Sequence, residues 1–452
     1  MIFSESLPAI RSFARSLGTI TSTLLRTRAL AGFLEPCRRM SATHPSSAIR
    51  TSARHRANVG RYLARRGRDR DWELLDDAAY QLLRLESRSR TWSLLPDQTH
   101  VGQSGIKTES TSRRGNHRPR TKNAQRHQKK TPRRSCHAFV MALLLAPSGY
   151  RIPMCRCYFT KTYAAANGWT YHTQTQLAAE LIRRAPIPAA AEVVALGDTA
   201  FDAEVMRAAC AERGYSWVVP MNPGRVPAGP NGNRPRVRSL AAGLSAKDVQ
   251  AVRLDPGQGE GRRQRRPSRY RVGPEVRRRT YHVHGEHRDI HSVGKVSLVF
   301  STVEQPAAKR NVLVRKILTT SDRGWTAAAV VELYDRRGQI ELSFKELTST
   351  LGFARYGFRS FEEVAGWTQV CLVAFVHPEW RRAKPLKRRG LSEPERRVWE
   401  SQRTFGGVQA VRQWGERYEL GKLQDGPATP TGRKRLRRLL RAAHPVEYRV
   451  RA

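Results

Sequence analysis

One carboxylate, Glu341, stands in a stretch of sequence that also carries a tyrosine and several basic residues at helical spacing. If the stretch is a single helix, the residues four and seven positions away on either side share one stripe with Glu341. Those residues are Tyr334, Arg337, Lys345 and Thr348. Hydroxyl and cationic groups on one stripe are able to contact phosphate. A solvated helix face explains the same pattern, because a glutamate four residues before a lysine is a common stabilising pair, and on the helix alone this interpretation is favoured.

Two aspartates follow apolar runs that are typical of strands. The run VVAL ends just before Asp198 in GDTAFD, and Asp97 follows the run TWSLLP. Carboxylates at strand ends are rigidly held yet exposed at the edge of a sheet, which suits metal binding. Helix capping is the competing interpretation, and Asp202, directly before the next helix, is the better candidate for it. Capping therefore leaves Asp198 unexplained.

Together these three acids could hold two Mg²⁺ ions, because carboxylate oxygens are the ligands that this hard cation prefers. Two such ions stabilise the attacking and leaving oxygens of an in-line phosphoryl displacement. We therefore treat Asp97, Asp198 and Glu341 as candidate catalytic metal ligands.

The remaining sequence predicts the elements that must position these acids. Apolar runs and turns predict a strand near Asp97, a hairpin, a helix, a buried strand ending at Asp198, a further helix and a further strand. After two more strands, helices are expected at roughly 326–348 and 361–377. This order is typical of an α/β domain with a mixed sheet, interrupted by a basic segment at 222–310.

The charge of the chain indicates its partner. The 452 residues include 82 Lys and Arg against 38 Asp and Glu, a formal net charge of +44. A charge this large favours a polyanion, which indicates nucleic acid. Basic packaging proteins share this composition, so the charge predicts a partner and no reaction. The six scattered cysteines indicate reduced thiols, and no apolar run approaches the roughly 18 residues that a membrane span needs.

Other residue groups are weaker candidates for chemistry. The stretch HVHGEHRDIH holds His282, His284, His287 and His291. Because it lies in an Arg-rich, strand-like segment, solvated strand residues are favoured over a metal site. No nucleophile elbow accompanies the Ser, His and Asp residues, so hydrolase chemistry of that type is unsupported. The Arg- and Ser-rich start is similar to an organellar transit peptide, and an amphipathic first helix of a DNA-binding domain is the favoured interpretation.

With these residues in view, the chain resembles the DDE transposases of bacterial insertion sequences, in the group with a Tyr-x2-Arg-x3-Glu-x6-Lys signature. Tyr334, Arg337 and Glu341 match the signature at its spacing. The second-acid motif, Asp-x-(Gly/Ala)-(Tyr/Phe), is matched at Asp198, and DQT at Asp97 looks like the first-acid strand. The long interval before Glu341 agrees with a β-rich insertion in this group. The resemblance covers roughly residues 50–410.

The resemblance implies an RNase H-like mixed sheet flanked by helices, with a β-rich insertion before the glutamate helix and an N-terminal helical DNA-binding region. It implies two Mg²⁺ ions, with Mn²⁺ as a substitute, on Asp97, Asp198 and Glu341. Tyr334 and Arg337 would contact DNA phosphates. The expected segments are a helical DNA-binding region (1–90), the first part of the catalytic core (91–221), the insertion (222–310), the second part of the core (311–380) and a basic tail (381–452).

The resemblance also implies a reaction, its partners and a location in the cell. Such enzymes cleave the 3′ ends of the element and join them to target DNA by direct transesterification. The partners would be double-stranded DNA of the element ends and the target, with a dimer in the synaptic complex and no membrane. The location would be the bacterial cytoplasm, at the nucleoid.

Three positions depart from the group. Thr348 occupies the place of the signature lysine, which leaves Lys345, one turn earlier, as the replacement phosphate contact. Gly338 disfavours a helix by about 1 kcal/mol relative to Ala, and Pro96 cannot donate to a strand ladder. A transposase-derived DNA-binding protein without catalysis is therefore the alternative hypothesis, and a general nucleic-acid packaging protein is a third. The packaging hypothesis predicts that the three acids lie far apart.

Overall fold

The structure is a computed structural model. It describes residues 61, 63–65, 67, 91–103, 108–114, 134–147, 150–187, 191–228, 235–254, 279–303, 314, 316–349, 353–354, 356 and 358–383. Most of the predicted DNA-binding region at 1–90, and the predicted tail at 381–452 beyond residue 383, lie outside the described residues.

Ten strands form one sheet in the described part of the chain. They are β1 (Trp92–Gln103), β2 (Ser112–Arg114), β3 (Arg134–Leu145), β4 (Arg151–Tyr158), β5 (Val193–Leu196), β6 (Ser216–Pro220), β7 (Gln250–Leu254), β8 (Arg279–Ile290), β9 (Gly294–Thr302) and β10 (Lys316–Thr320). The helices are α1 (Lys161–Ala166), α2 (Gln174–Arg183), α3 (Glu204–Glu212), α4 (Val237–Ala242), α5 (Ala327–Asp335), α6 (Gly338–Ser349) and α7 (Phe361–Ala383).

The strand order confirms the predicted RNase H-like mixed sheet. β1 pairs antiparallel with β3 on one side and parallel with β5 on the other. β4 continues the sheet beyond β3, and β6 continues it in parallel beyond β5. β1 is therefore an interior strand with partners on both sides, and β5, the strand before Asp198, lies beside it. A metal site shared by Asp97 and Asp198 requires this neighbourhood.

Alternate strand residues face two separate cores, as the period of two in a strand dictates. In β5, Val193 and Ala195 join the core that includes α2, α3 and α7, whereas Val194 and Leu196 join the core beneath α5 and α6. Helices therefore cover both faces of the central strands. This explains why β5 is buried along its whole length and lacks an alternating sequence pattern.

The predicted β-rich insertion contributes strands to this same sheet. β10 pairs antiparallel with β6, and β9, β8 and β7 follow in order beyond it. Gly285 of β8 allows α5 to approach closely, because a Cβ added there would lie 3.2 Å from Cβ of Ala327. The insertion strands thus form the surface on which α5, the helix before Glu341, is packed.

The described N-terminal residues pack against α7. Residues 61, 63–65 and 67 are helical, and Leu63 is buried. A Cβ added at Gly366 would overlap the backbone carbonyl of Leu63, and one added at Gly67 would overlap that of Glu362. The two backbones approach each other through these glycines. None of the helices in the described part of the chain has the length and apolar character needed to cross a bilayer.

A buried ion-pair network holds α6 against the sheet and α7. Arg151, the first residue of β4, is 2% exposed; its guanidinium lies 2.8 Å from a carboxylate oxygen of Glu346 and 2.9 Å from one of Glu379. The same guanidinium donates to the hydroxyl of Ser343 at 3.3 Å and lies over the ring of Phe375. Because Ser343 and Glu346 belong to α6, Arg151 fixes the helix that carries Glu341.

We predict that Arg151→Met destabilises the protein by about 3–5 kcal/mol, because it leaves two buried carboxylates without their cation. The measurement is the free energy of unfolding in denaturant. Arg183→Gln is the matched control: its ion pair with Glu212 is 40% and 52% exposed, so its loss costs at most about 1 kcal/mol. Equal effects of the two substitutions would show that the buried network does not hold α6.

Candidate active site

Asp97 lies inside β1 and not at the end of a strand, so the prediction that it ends a strand is wrong. It pairs with Met141 of β3, and the strand continues to Gln103 because the long β3 provides a partner along its whole length. The ladder between β1 and β5, in contrast, covers only Trp92–Leu94. Beyond Leu94, no described strand pairs with the β5 side of β1. Pro96 lies in this stretch, and a strand tolerates proline where no partner strand needs an N–H donor.

Asp198 follows β5 after one residue, Gly197, and caps a short turn. Its carboxylate accepts a hydrogen bond from the backbone N–H of Ala200 at 2.8 Å, at the start of the 3₁₀ turn Thr199–Phe201. The capping interpretation was therefore assigned to the wrong aspartate: α3 begins after Ala203, with no side-chain cap. The cap uses Oδ1 of Asp198, and Oδ2 takes no part in it.

Asp202 anchors the other end of this turn. Its carboxylate is 3% exposed and accepts from Arg207 of α3 at 2.7 Å and from Arg225 at 2.9 Å. Both arginines also bond Ser292, in the turn between β8 and β9. The turn that carries Asp198 is thereby connected to the insertion strands. Sequence reasoning missed this role because Arg225 and Ser292 are distant from Asp202 in the chain, and the nearby Arg207 was assigned only to the helix.

Glu341 lies in the first turn of α6 and is 67% exposed. The predicted single helix at 326–348 is wrong: α5 ends at Asp335, and a turn at Arg336 and Arg337 precedes α6. Gly338, which disfavours helix, begins the second helix. Tyr334 is buried, packed among the core residues beneath α5 and α6, whereas Glu341 is exposed. Tyr334 nevertheless lies near the acids: burial raises its pKa to about 12, and the charges of Arg337 and of the three acids act on it.

All three predicted acids meet at the guanidinium of Arg337. Its Nη2 lies 2.9 Å from Oδ2 of Asp97 and 3.8 Å from Oδ2 of Asp198. Its Nη1 lies 2.9 Å from Oε1 of Glu341. The packaging hypothesis predicted carboxylates that lie far apart, and the structure contradicts it.

The electrostatics of the cluster are set by burial and by like charges. Burial raises the pKa of Asp97 to about 6; Arg337 and the N–H of Gln98 oppose this rise, and the charges of Asp198 and Glu341 add to it. Burial disfavours the charge on Arg337, but attraction to Asp97 and the other acids outweighs it, and the pKa of Arg337 is raised. The guanidinium therefore remains charged and partly neutralises the three acids.

The donor set fits a hard divalent cation, although its present arrangement does not enclose one. Three carboxylates from three elements are the ligands that Mg²⁺ or Mn²⁺ prefers. Within the described residues, no group of three or more His, Cys, Asp and Glu side chains is close enough to hold a metal ion as it stands. Arg337 lies between the carboxylates, and its own Nε is buried with no hydrogen-bond partner among the described groups.

Lys316 is a second cation near the acids, and sequence reasoning did not identify it. It is exposed at the start of β10, and its Nζ lies 4.5 Å from the centroid of the Tyr334 ring. Lys345 is exposed one turn after Glu341. Thr348, in the place of the signature lysine, donates its hydroxyl to the carbonyl of Phe344 at 2.7 Å and so bonds within its own helix.

Two histidines of β8 lie within hydrogen-bond distance of oxygen atoms of the protein. Nδ1 of His284 lies 2.8 Å from the carbonyl oxygen of Asp248, and Nδ1 of His287 lies 2.9 Å from the hydroxyl of Ser297.

We predict that Asp97→Asn stabilises the metal-free protein at pH 7 by up to about 3 kcal/mol. The folded protein binds more protons than the unfolded chain between about pH 4 and 6, because the pKa of Asp97 is raised from 3.8 to about 6. Wild-type stability should therefore fall as the pH rises through this range. The measurement is the free energy of unfolding against pH with a chelator present, and Asp289→Asn, at an exposed position of β8, is the control. A variant less stable than wild type at pH 7 would contradict the prediction.

Comparison with known proteins agrees with this geometry. No curated protein matches the chain. The family model described as "Transposase DDE domain" matches residues 162–376, slightly less than half of the chain. The matched segment contains Asp198, Arg337 and Glu341 and begins after β4, so Asp97 lies outside it. Residues 162–376 are thus similar to the DDE domain of transposases, which confirms the resemblance of the chain to the DDE transposases.

Proposed function

We propose that the protein is a transposase that cleaves DNA at the ends of an insertion sequence and transfers the freed strands to target DNA. The observation that carries the proposal is the convergence of Asp97, Asp198 and Glu341 on one guanidinium. These acids come from β1, from the turn after β5 and from α6. A solvated helix face at Glu341 does not require such a meeting of distant segments.

In this proposal Asp97, Asp198 and Glu341 hold two Mg²⁺ ions, with Mn²⁺ as a substitute. When bound, such ions supply charge stabilisation for the attacking and leaving oxygens of phosphoryl transfer. Asp97 provides a fixed position because it lies within a paired strand, and Glu341, at the exposed start of α6, adjoins the surface that DNA would occupy.

Cations beside the acids would bind the DNA phosphates. Lys345 is exposed one turn beyond Glu341, and Lys316 is exposed at the start of β10. Arg337 is a further candidate, and Tyr334, buried beneath Lys316, would contribute chiefly by supporting that cation. The net charge of +44 supports the same partner.

The predicted organisation belongs to this proposal. Residues 1–90 would bind DNA, the catalytic core would comprise 91–221 and 311–380, and 222–310 would be the insertion, followed by the basic tail at 381–452. A dimer would join the two element ends. The location would be the cytoplasm of a bacterium, at the nucleoid.

The test is cleavage in vitro of DNA that carries the inverted repeats flanking the gene, with Mg²⁺ or Mn²⁺. We predict that Glu341→Gln and Asp198→Asn lower the cleavage rate at least about 100-fold, since each removes a ligand of ions that contribute several kcal/mol. The control is Glu332→Gln, at an exposed glutamate of α5, which should cleave at the wild-type rate.

DNA binding should remain in all three variants, because the substitutions remove no cation. A wild type as inert as Glu341→Gln, with DNA binding intact, would contradict the catalytic proposal. That outcome would favour the alternative, a transposase-derived DNA-binding protein in which Thr348 has replaced the signature lysine.

A further inference from the structure

The guanidinium of Arg337 lies where the three acids face one another. Its two terminal nitrogens lie within ion-pair distance of Asp97, Asp198 and Glu341. The proposed function assigns the same three carboxylates to divalent ions. Resting on that function, we propose that Arg337 is an internal cation that competes with the divalent ion for these carboxylates and must withdraw before the ion binds.

Space is the first argument for competition. The guanidinium nitrogens lie 2.9 Å from oxygens of Asp97 and of Glu341, whereas Mg²⁺ holds its oxygen ligands at about 2.0–2.1 Å. The carboxylates would have to move together to reach an ion, into the space that the guanidinium fills. The planar guanidinium and a coordinated ion therefore cannot occupy this position together.

Charge is the second argument. One guanidinium supplies a single positive charge to three neighbouring carboxylates, so the cluster retains an excess of negative charge. A divalent ion neutralises more of this charge than Arg337 does, which favours exchange of one cation for the other.

The surroundings of Arg337 also favour its withdrawal. Its Nε is buried and, among the described groups, has no hydrogen-bond partner, so the present position leaves one donor unsatisfied. Arg337 lies in the two-residue turn between α5 and α6, and not within a regular helix. A withdrawn guanidinium would be available to a DNA phosphate, which links metal binding to DNA contact by this residue.

The test is calorimetric titration of Mn²⁺ into the full-length chain without DNA. Arg337→Gln should bind Mn²⁺ on the order of tenfold more tightly than wild type, because a positive charge close to the ion has been removed. The matched control is Arg336→Gln, which makes the same change of net charge one residue earlier, at a position with no ion pair to these acids among the described contacts. The control should bind Mn²⁺ as wild type does.

A second variant covers the case in which Arg337→Gln does not fold. Arg337→Lys keeps the charge but cannot bridge three carboxylates with a planar fork, so it should bind Mn²⁺ more tightly than wild type and less tightly than Arg337→Gln. The Mn²⁺-induced rise in melting temperature should follow the same order.

The outcomes are distinct. Affinities of the Arg337 variants that equal or fall below that of Arg336→Gln overturn the inference. If Glu341→Gln still weakens Mn²⁺ binding in that case, the proposed metal site remains. Absence of Mn²⁺ binding in every variant overturns both the inference and the proposed function.

Discussion

Three carboxylates from distant parts of the chain lie close together around one guanidinium, and the architecture on both sides of the sheet depends on this contact. Without a cation between them, the repulsion among Asp97, Asp198 and Glu341 would oppose the packing of β1, the turn after β5 and α6. Arg337 reduces that repulsion. Burial is the main cause of the raised pKa of Asp97, and the charges of Asp198 and Glu341 add to it. The close approach of these acids therefore lowers the stability of the folded protein, as is common where function requires buried charge.

Two ion-pair networks on the surrounding elements hold the acids against this repulsion. Arg151 connects β4, α6 and α7 and thereby fixes the helix of Glu341. Asp202 connects the turn of Asp198 to α3 and to the insertion through Arg207 and Arg225. Asp97 needs no such network, because β3 pairs with its strand along the whole length. The insertion also supports α5 through its extra strands, so it contributes to the geometry of the acids as well as to the surface.

The sequence predicted the sheet and the three acids because both depend on local patterns. The hairpin of β3 and β4, the buried β5 and the helix after it are encoded in short apolar runs, and their pairing follows the common order of an α/β domain. The acids were identified from their residue type and their place relative to these runs. The strands that became β9 and β10 were predicted as two further strands, but the pairing that joins β7 and β8 to the same sheet was not, because strand partners that are distant in sequence leave no local pattern.

The errors arose where tertiary contacts outweigh a local pattern. The single helix at 326–348 was wrong because a turn at Arg336 and Arg337 interrupts it, and Tyr334 is buried, although it still lies near Arg337 and Glu341. The capping role of Asp202 was wrong because two arginines bind its carboxylate. The position of Arg337 among three acids could not be predicted from helical spacing, since that spacing identifies only its contact with Glu341.

The central claim is that Asp97, Asp198 and Glu341 form one metal site. The most direct measurement is a crystal structure of the full-length chain grown with Mn²⁺, with the ion located by its anomalous scattering. The account predicts anomalous peaks for the ions about 2 Å from carboxylate oxygens of Asp97, Asp198 and Glu341, with the guanidinium of Arg337 withdrawn. An anomalous peak elsewhere in the molecule, with Arg337 still bonded to the three carboxylates, would contradict it.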